Sequence, residues 1–241
     1  MSKLVVLNWK MNLPDLPSWS EALKFKGNNR IVVCPSFTHI NKLRNLLKGK
    51  GIYIGAQNVS YKENGALTGE VSVEMLKDVG ASYAIIGHSE RRYVFGETDE
   101  IIAKKAKVVL EGRITPILCV GETKKMTREK SWNFIRSQLQ KDLSLTPYPL
   151  PLTTSLVVAY EPVWSIGGNK NIDASHSAHL IDRIREFLYT NYKMRATILY
   201  GGSVNSKNIK SLLSVGEIDG FLVGSASLKK EEVKKLLKLI N

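Results

Sequence analysis

The chain has 241 residues, of which 43% are hydrophobic, enough to bury the core of one large domain or two small ones. No apolar run approaches the roughly 20 residues that a membrane helix needs. The first apolar run, Leu4–Leu7, is also too short for a secretory h-region. We therefore expect a cytoplasmic protein with no membrane partner, in which Cys34 and Cys119 are buried free thiols at the ends of strand-like runs.

The formal net charge is +13, which raises nucleic acids as partners. However, the basic residues are mostly lysines in short scattered groups, with no basic arm, zinc pattern or RNA-binding motif among them. A solvated basic surface that attracts anionic substrates explains this pattern, so we expect no nucleic-acid partner. The only close histidine pair, His176 and His179, has no neighbouring cysteine, which predicts a surface helix and no metal site.

Eight short apolar runs rich in β-branched residues recur along the chain. They are Leu4–Leu7, Ile31–Cys34, Ile52–Ala56, Tyr83–Gly87, Thr115–Val120, Leu156–Tyr160, Thr197–Tyr200 and Gly220–Val223. Most are apolar on both faces, which is typical of parallel strands covered by helices.

Amphipathic helical patterns lie between these runs, with apolar residues three or four positions apart. Their predicted buried faces are Ile40/Leu43/Leu46/Leu47, Trp132/Ile135/Leu139, Ile181/Ile184/Leu188, Ile209/Leu212/Leu213 and Val233/Leu236/Leu237/Ile240. Asp173 and Asn205 are candidate N-caps.

The alternation of strand and helix, eight times over, predicts an α/β protein with a parallel sheet. Eight such units in a chain of this length favour a closed (β/α)8 barrel, with the strands surrounded by helices, over an open doubly wound sheet. The proline-rich stretch 147–151 is short and leads directly into a strand, so a rigid loop is expected there. We accordingly predict a single domain over residues 1–241.

Polar residues that could perform chemistry cluster immediately after strands, on the face where barrel enzymes build their active sites. Asn8 and Lys10 follow strand 1, His88 follows strand 4, Glu161 follows strand 6, and glycines follow strands 7 and 8. Each has an ordinary structural explanation, such as a surface lysine, a hydrogen-bonded histidine or a tight turn. Their convergence on one face is what indicates a site.

Several motifs resemble the triosephosphate isomerase family, in that family's order and spacing over nearly the whole chain. They are NWKMN (8–12), AQNVS (56–60), GALTGEVS (65–72), IIGHSERRYVFGETDE (85–100), CVGET (119–123), AYEPVWSIG (159–167), YGGSV (200–204) and DGFLVGSASL (219–228). The resemblance implies an aldose–ketose isomerase of glycolysis and gluconeogenesis. It would interconvert dihydroxyacetone phosphate and D-glyceraldehyde 3-phosphate through an enediolate, without cofactor or metal.

The resemblance also implies residue roles. Glu161 would be the base, and His88 the electrophile, kept neutral as is known for this family. Lys10 would supply fixed positive charge, Asn8 would bind substrate oxygens, and Glu97 resembles the acidic neighbour of these groups.

The phosphate would be bound by glycine-rich loops, in which the main chain can approach closely. Gly202, Ser203, Gly224 and Ser225 match those loops, and Gly167 matches the tip of a mobile lid.

Thr68, in the loop around Gly65–Gly69, matches a residue that reaches a second subunit, so a homodimer is expected.

Three positions depart from the family pattern. Ser225 stands where a second glycine is usual, the lid reads GGNKN over 167–171 with Asn169 at a glycine position, and Leu13 replaces a glycine. The first two bear on phosphate binding and lid closure, and the third on loop packing.

Two other functions compete with this interpretation. Another phosphosugar isomerase would share the phosphate site but lack the set of Lys10, His88 and Glu161. A basic, non-catalytic binding protein would bind nucleic acid in a salt-sensitive way that survives loss of Glu161.

Overall fold

The computed structural model describes residues 2–146, 155–166, 173–214, 216 and 218–241. The proline-rich stretch 147–151 and the predicted lid tip, including Gly167 and Asn169, lie outside the described residues.

Within the described ranges, eight strands form a closed, all-parallel barrel in chain order. They are β1 Leu4–Asn8, β2 Arg30–Cys34, β3 Ile52–Ala56, β4 Tyr83–Ile86, β5 Thr115–Val120, β6 Val157–Tyr160, β7 Thr197–Tyr200 and β8 Gly220–Val223. The barrel closes where β1 pairs with β8, with Leu4 opposite Gly220 and Leu7 opposite Val223. The predicted (β/α)8 barrel is thus confirmed.

Helices surround the strands on the outside of the barrel. They are α1 Leu16–Ala22, α2 Ile40–Leu47, α3 Val73–Asp78, α4 Ser89–Tyr93, α5 Asp99–Glu111, α6 Arg128–Asp142, α7 Ala174–Tyr192, α8 Ile209–Leu213 and α9 Lys230–Ile240. Short 3-10 turns lie at Leu23–Lys26, Phe37–His39, Val163–Ser165 and Ser225–Leu228.

The core has two layers, because strand residues alternate in direction. Val5, Leu7 and their equivalents pack outward against the helices, while Leu4 and Val6 belong to a second cluster of strand residues. The predicted apolar helix faces are buried, except that Leu46 and Leu213 are only partly buried. Burial of these faces is what fixes the strand ends, and hence the site, in place.

Five boundaries differ from the sequence prediction. The strand β1 extends to Asn8, one residue beyond Leu7, and β2 begins at Arg30, one residue before Ile31. The strand β4 ends at Ile86, because Gly87 has a φ of +66° and turns the chain out of the sheet. The strand β6 begins at Val157 rather than Leu156. Asp173 does cap α7, but Asn205 does not cap α8, which begins three residues after the expected start with Asn208 in the cap position. Instead, the Asn205 side chain accepts from the N–H groups of residues 207 and 208, closing a turn before the helix.

Candidate active site

A cavity of about 530 Å³ opens at the carboxyl ends of the strands. Its walls include almost every residue that the sequence assigned to a site, namely Asn8, Lys10, His88, Glu161, Gly202, Ser203, Gly224 and Ser225. Glu97 and Thr68 do not line it. The barrel therefore brings together residues that are up to 217 positions apart in the chain, from Asn8 to Ser225.

Glu161 directly follows β6 and is almost fully buried, with 2% of its surface exposed. Its Oε2 accepts a hydrogen bond from the Ser89 backbone N–H at 3.0 Å, and its Oε1 lies 3.3 Å from His88 Nε2. The residue opposite is Gly121, where a Cβ would overlap the Glu161 backbone carbonyl, so only glycine permits this approach. Burial, and after it the negative charge of Glu161, raises the pKa of the Cys119 thiol well above its usual value.

His88 occupies the N-cap position of α4 and is 6% exposed. Its Nδ1 lies 3.2 Å from the backbone N–H of Glu90. Because an N–H can only donate, Nδ1 must be the acceptor and carries no proton. The imidazole is therefore neutral, with its proton on Nε2, the atom that faces Glu161.

Lys10 has a left-handed backbone, with a φ of +52°, which non-glycine residues rarely adopt. Two side chains hold it there: Asn8 Oδ1 accepts from the Lys10 N–H at 3.0 Å, and Gln57 Nε2 donates to the Lys10 carbonyl at 2.8 Å. Strained residues of this kind persist only where their surroundings fix them, and they cluster at functional sites. Asn8 is itself anchored, since its carbonyl accepts from the buried Ser227 hydroxyl at 3.0 Å.

The acidic neighbour of Lys10 and His88 is Glu90, and Glu97 does not occupy that place. Glu90 Oε1 lies 2.6 Å from Lys10 Nζ, and Glu90 Oε2 lies 3.7 Å from His88 Nδ1. Glu97 instead pairs with Arg91 at 2.7 Å and with the buried ammonium of Lys105. Both glutamates lie in one motif, and the sequence offers no signal that separates them.

Gln57 was likewise missed. It lies directly after β3 in the AQNVS motif, as Glu161 lies directly after β6, and Lys10 and His88 lie one residue further from their strands, so position alone could have identified it.

The other end of the cavity presents main-chain donors and positive charge. Ser225 opens a 3-10 turn, whose first N–H groups have no partner inside the turn. Lys207 and Lys229 are exposed at the same end. Glu232 also lies there, but its carboxylate accepts from the backbone N–H and hydroxyl of Ser206. This arrangement suits an anionic group.

The buried guanidinium of Arg92 hydrogen-bonds the main chain next to His88. Arg92 donates to the carbonyl of Gly87 at 2.8 Å and to that of Cys119 at 3.0 Å, and it pairs with Asp99 and Asp142. Arg92 thereby ties the chain just before His88 to the end of β5. Burial outweighs the attraction of Arg92 and raises the pKa of Asp142 to about 7.

One of the two histidines on α7 differs from the sequence prediction. His179 is partly buried, but His176 is 5% exposed and lies 3.8 Å from Glu122, so the surface position expected for it is wrong. The first turn of α7 lies against Glu122, which follows β5, and apolar periodicity cannot reveal such a contact.

Other predictions concern the remaining side chains. Cys34 and Cys119 are buried free thiols, as expected. In the described ranges, no three His, Cys, Asp or Glu side chains converge in a way that could hold a metal ion. The same ranges contain no helix with the length and apolar character to cross a bilayer. Thr68 is exposed in the loop between β3 and α3.

Comparison with known proteins gives a consistent result over the full length. A family model described as Triosephosphate isomerase matches residues 3–240. A protein of that name from Endomicrobium trichonymphae is 44% identical over 244 residues, covering 98% of this chain and 97% of the relative. Proteins of the same name from Thermus thermophilus and Aquifex aeolicus are 43% and 40% identical, each over 98% of this chain and 98% and 99% of their own lengths.

Proposed function

The chain belongs to the triosephosphate isomerase family, and we propose that Glu161, His88 and Lys10 carry out its reaction. It is an isomerase that interconverts dihydroxyacetone phosphate and D-glyceraldehyde 3-phosphate, a step of glycolysis and gluconeogenesis. The observation that best supports these roles is the 3.3 Å approach of a buried carboxylate to the N–H of a neutral imidazole.

The reaction moves one proton between adjacent carbons. The Glu161 carboxylate removes a proton from the carbon next to the carbonyl, and the electron pair of that C–H bond passes to the carbonyl oxygen. His88 Nε2–H donates its proton to that oxygen and takes up the proton of the neighbouring hydroxyl, so the imidazole ends neutral. Glu161 then returns its proton to the adjacent carbon.

The negative charge that develops on the substrate oxygen must be stabilised by groups held in fixed positions. Lys10 Nζ supplies a positive charge, and the preorganised backbone around Lys10 keeps it aimed into the cavity. Lys10 Nζ is paired with Glu90 Oε1. Substrate oxygens would replace or share that contact, with Asn8 as a further hydrogen-bonding partner.

The phosphate would bind at the glycine-rich end. The N–H groups of Gly202, Ser203, Gly224 and Ser225 are the proposed donors, and Lys207 and Lys229 add positive charge. Because a backbone N–H remains at Ser225, its departure from glycine is compatible with this role. Gly167 is proposed as a further phosphate ligand within a lid that excludes water. The net charge of +13 would accelerate encounter with the anionic substrate.

A homodimer is the proposed assembly. The loop containing Thr68 is exposed, and large apolar side chains are exposed on two further loops, namely Met11 and Leu13 on one and Val94 and Phe95 on the other. Exposed apolar patches of this kind mark interfaces.

The chain is proposed to form one domain and to be located in the cytoplasm. A single domain over residues 1–241 is supported by pairing of β1 with β8, which joins the two ends of the chain. The two free thiols support a reducing, cytoplasmic location. We propose no nucleic-acid partner. The family match does not favour another phosphosugar isomerase or a non-catalytic binding protein.

A coupled assay of triose phosphate isomerisation on wild type and Glu161→Gln tests the proposal. We expect an active wild type and a loss of several powers of ten in kcat/KM for the variant, because an amide cannot accept the proton. Glu129→Gln is the matched control, since Glu129 is exposed in the first turn of α6. An inactive wild type, or equal activity in Glu161→Gln, would overturn it.

A further inference from the structure

The carboxylate of Glu122 is fully buried and contacts residues that precede and follow Glu161 in the chain. Its Oε1 accepts hydrogen bonds from the Tyr160 hydroxyl and from Trp164 Nε1, each at 3.0 Å. Its backbone carbonyl accepts from the Val163 N–H at 3.1 Å. Glu122 therefore holds both the last residue of β6 and the turn that leads away from Glu161.

Buried polar atoms on Glu122 and His176 lack partners. Glu122 Oε2 and His176 Nε2 have no hydrogen bond within the described part of the chain. The imidazole nitrogen lies 3.8 Å from Glu122 Oε1, just beyond hydrogen-bond length. Because each unpaired buried group is costly, a small rotation of the imidazole or of the carboxylate that pairs Nε2 with the Glu122 carboxylate is favoured.

The first turn of α7 fixes the direction of the His176 side chain. Asp173 Oδ1 accepts from the His176 N–H at 2.9 Å, and the Asp173 carbonyl accepts from the Ser177 hydroxyl at 3.0 Å. These bonds lock the helix start, so the imidazole is presented to Glu122 rather than to solvent.

We propose that His176 is a positioning residue for the isomerisation, acting through Glu122 on the turn Val163–Ser165 and thereby on Glu161. Its Nε2–H donates to the Glu122 carboxylate and keeps that carboxylate oriented towards Trp164 and Tyr160. Without this donor, the carboxylate rotates until its unpaired oxygen finds another partner, which weakens its hydrogen bond to Trp164 in the turn Val163–Ser165. The inference deepens the proposed function and rests on it.

His179 offers a matched control on the same helix. It lies one turn further along α7 and is partly buried. Burial, followed by the charges of Arg128 and Arg183, lowers the pKa of His179, so its surroundings are basic and differ from those of His176. The same substitution can therefore be made at both positions.

The test compares His176→Leu, His176→Gln and His179→Leu, with kcat, KM and the thermal midpoint measured for each. For His176→Leu we expect kcat to fall about tenfold with KM nearly unchanged, because the base is misplaced while the phosphate site is intact. His176→Gln keeps an N–H donor and should recover kcat to within about threefold of wild type. His179→Leu should match wild type.

A double-mutant cycle separates this route from a general loss of structure. If His176 acts through Glu122 on Trp164, His176→Leu should cost little further kcat once Trp164→Phe is present. Multiplicative losses, an unchanged kcat in His176→Leu, or failure of His176→Gln to rescue would each overturn the inference.

The emission of Trp164, taken as the difference between wild type and Trp164→Phe, gives a readout independent of turnover. We expect His176→Leu to change this emission and His176→Gln to preserve it. If wild type does not isomerise triose phosphates, the proposed function fails, while unchanged Trp164 emission in His176→Leu would separately refute the contact.

Discussion

Gln57 controls the strained backbone of Lys10, and replacing it by methionine removes that control with little change in volume. Gln57 Nε2 donates to the carbonyls of Lys10 and Cys34, at 2.8 and 2.9 Å. Each neutral hydrogen bond contributes about 1 kcal/mol net, so Gln57→Met loses about 2 kcal/mol. A left-handed non-glycine residue costs about 1–3 kcal/mol, which is comparable, so Lys10 is no longer held firmly in its observed conformation.

If that energy is lost from transition-state stabilisation, kcat/KM falls by up to about 30-fold. The thermal midpoint should also fall by about 2–4 °C for each kcal/mol lost from the folded state. Steady-state kinetics and thermal unfolding of Gln57→Met measure both, with the exposed Gln140→Met as the matched control. A kcat/KM within twofold of wild type would refute the claim that Gln57 maintains the Lys10 conformation.

Three further predictions concern the phosphate loop, a buried carboxyl group and the assembly. A Cβ on Gly224 would lie 3.2 Å from Lys10 Cε, so Gly224→Ala should displace the ammonium and lower kcat/KM about tenfold. Ser225→Gly keeps the backbone donor and should change kcat/KM less than about threefold. Equal effects of the two substitutions on kcat/KM would contradict this expectation. Burial raises the pKa of Asp142 to about 7, above the roughly 3.9 of the unfolded chain. The contribution of the protonated carboxyl group to stability is therefore complete below pH 4 and is lost as the pH rises towards 7, at about 1.4 kcal/mol per pH unit. Urea unfolding between pH 5 and 7 should show that slope in wild type and a shallower one in Asp142→Asn, and parallel slopes would show that Asp142 does not titrate there. Val94→Asp should yield a monomer by light scattering if the exposed loop containing Val94 is an interface, whereas an unchanged dimer would exclude that loop.

Hydrophobic periodicity predicted the barrel well, because burial on two faces of a strand and one face of a helix leaves a direct trace in the sequence. All eight strands were identified, with β1, β2, β4 and β6 in error by one residue each. The residues that follow the strands could also be placed on one face, because parallel strands end at the same edge of the barrel.

Side-chain partnerships were not predictable in the same way. Glu90 and Glu97 are seven residues apart in one motif, and only the path of the chain through α4 decides that Glu90 meets Lys10. The burial of His176 depends on Glu122, which is 54 positions away in sequence. Asn205 is of a residue type that often caps helices, yet its side chain closes a turn before α8 starts. Contacts of this kind arise from tertiary packing, and local composition does not encode them.

The central claim is that Glu161 transfers a proton between adjacent carbons of the substrate, with exchange possible while the proton resides on the carboxylate. The most direct measurement is isomerisation in D2O, followed by NMR of the triose phosphates for deuterium bound to carbon. The account predicts deuterium at the two interconverted carbons with wild type, and neither turnover nor deuterium incorporation above background with Glu161→Gln. Isomerisation by Glu161→Gln at the wild-type rate, with the same deuterium content in the product, would contradict it.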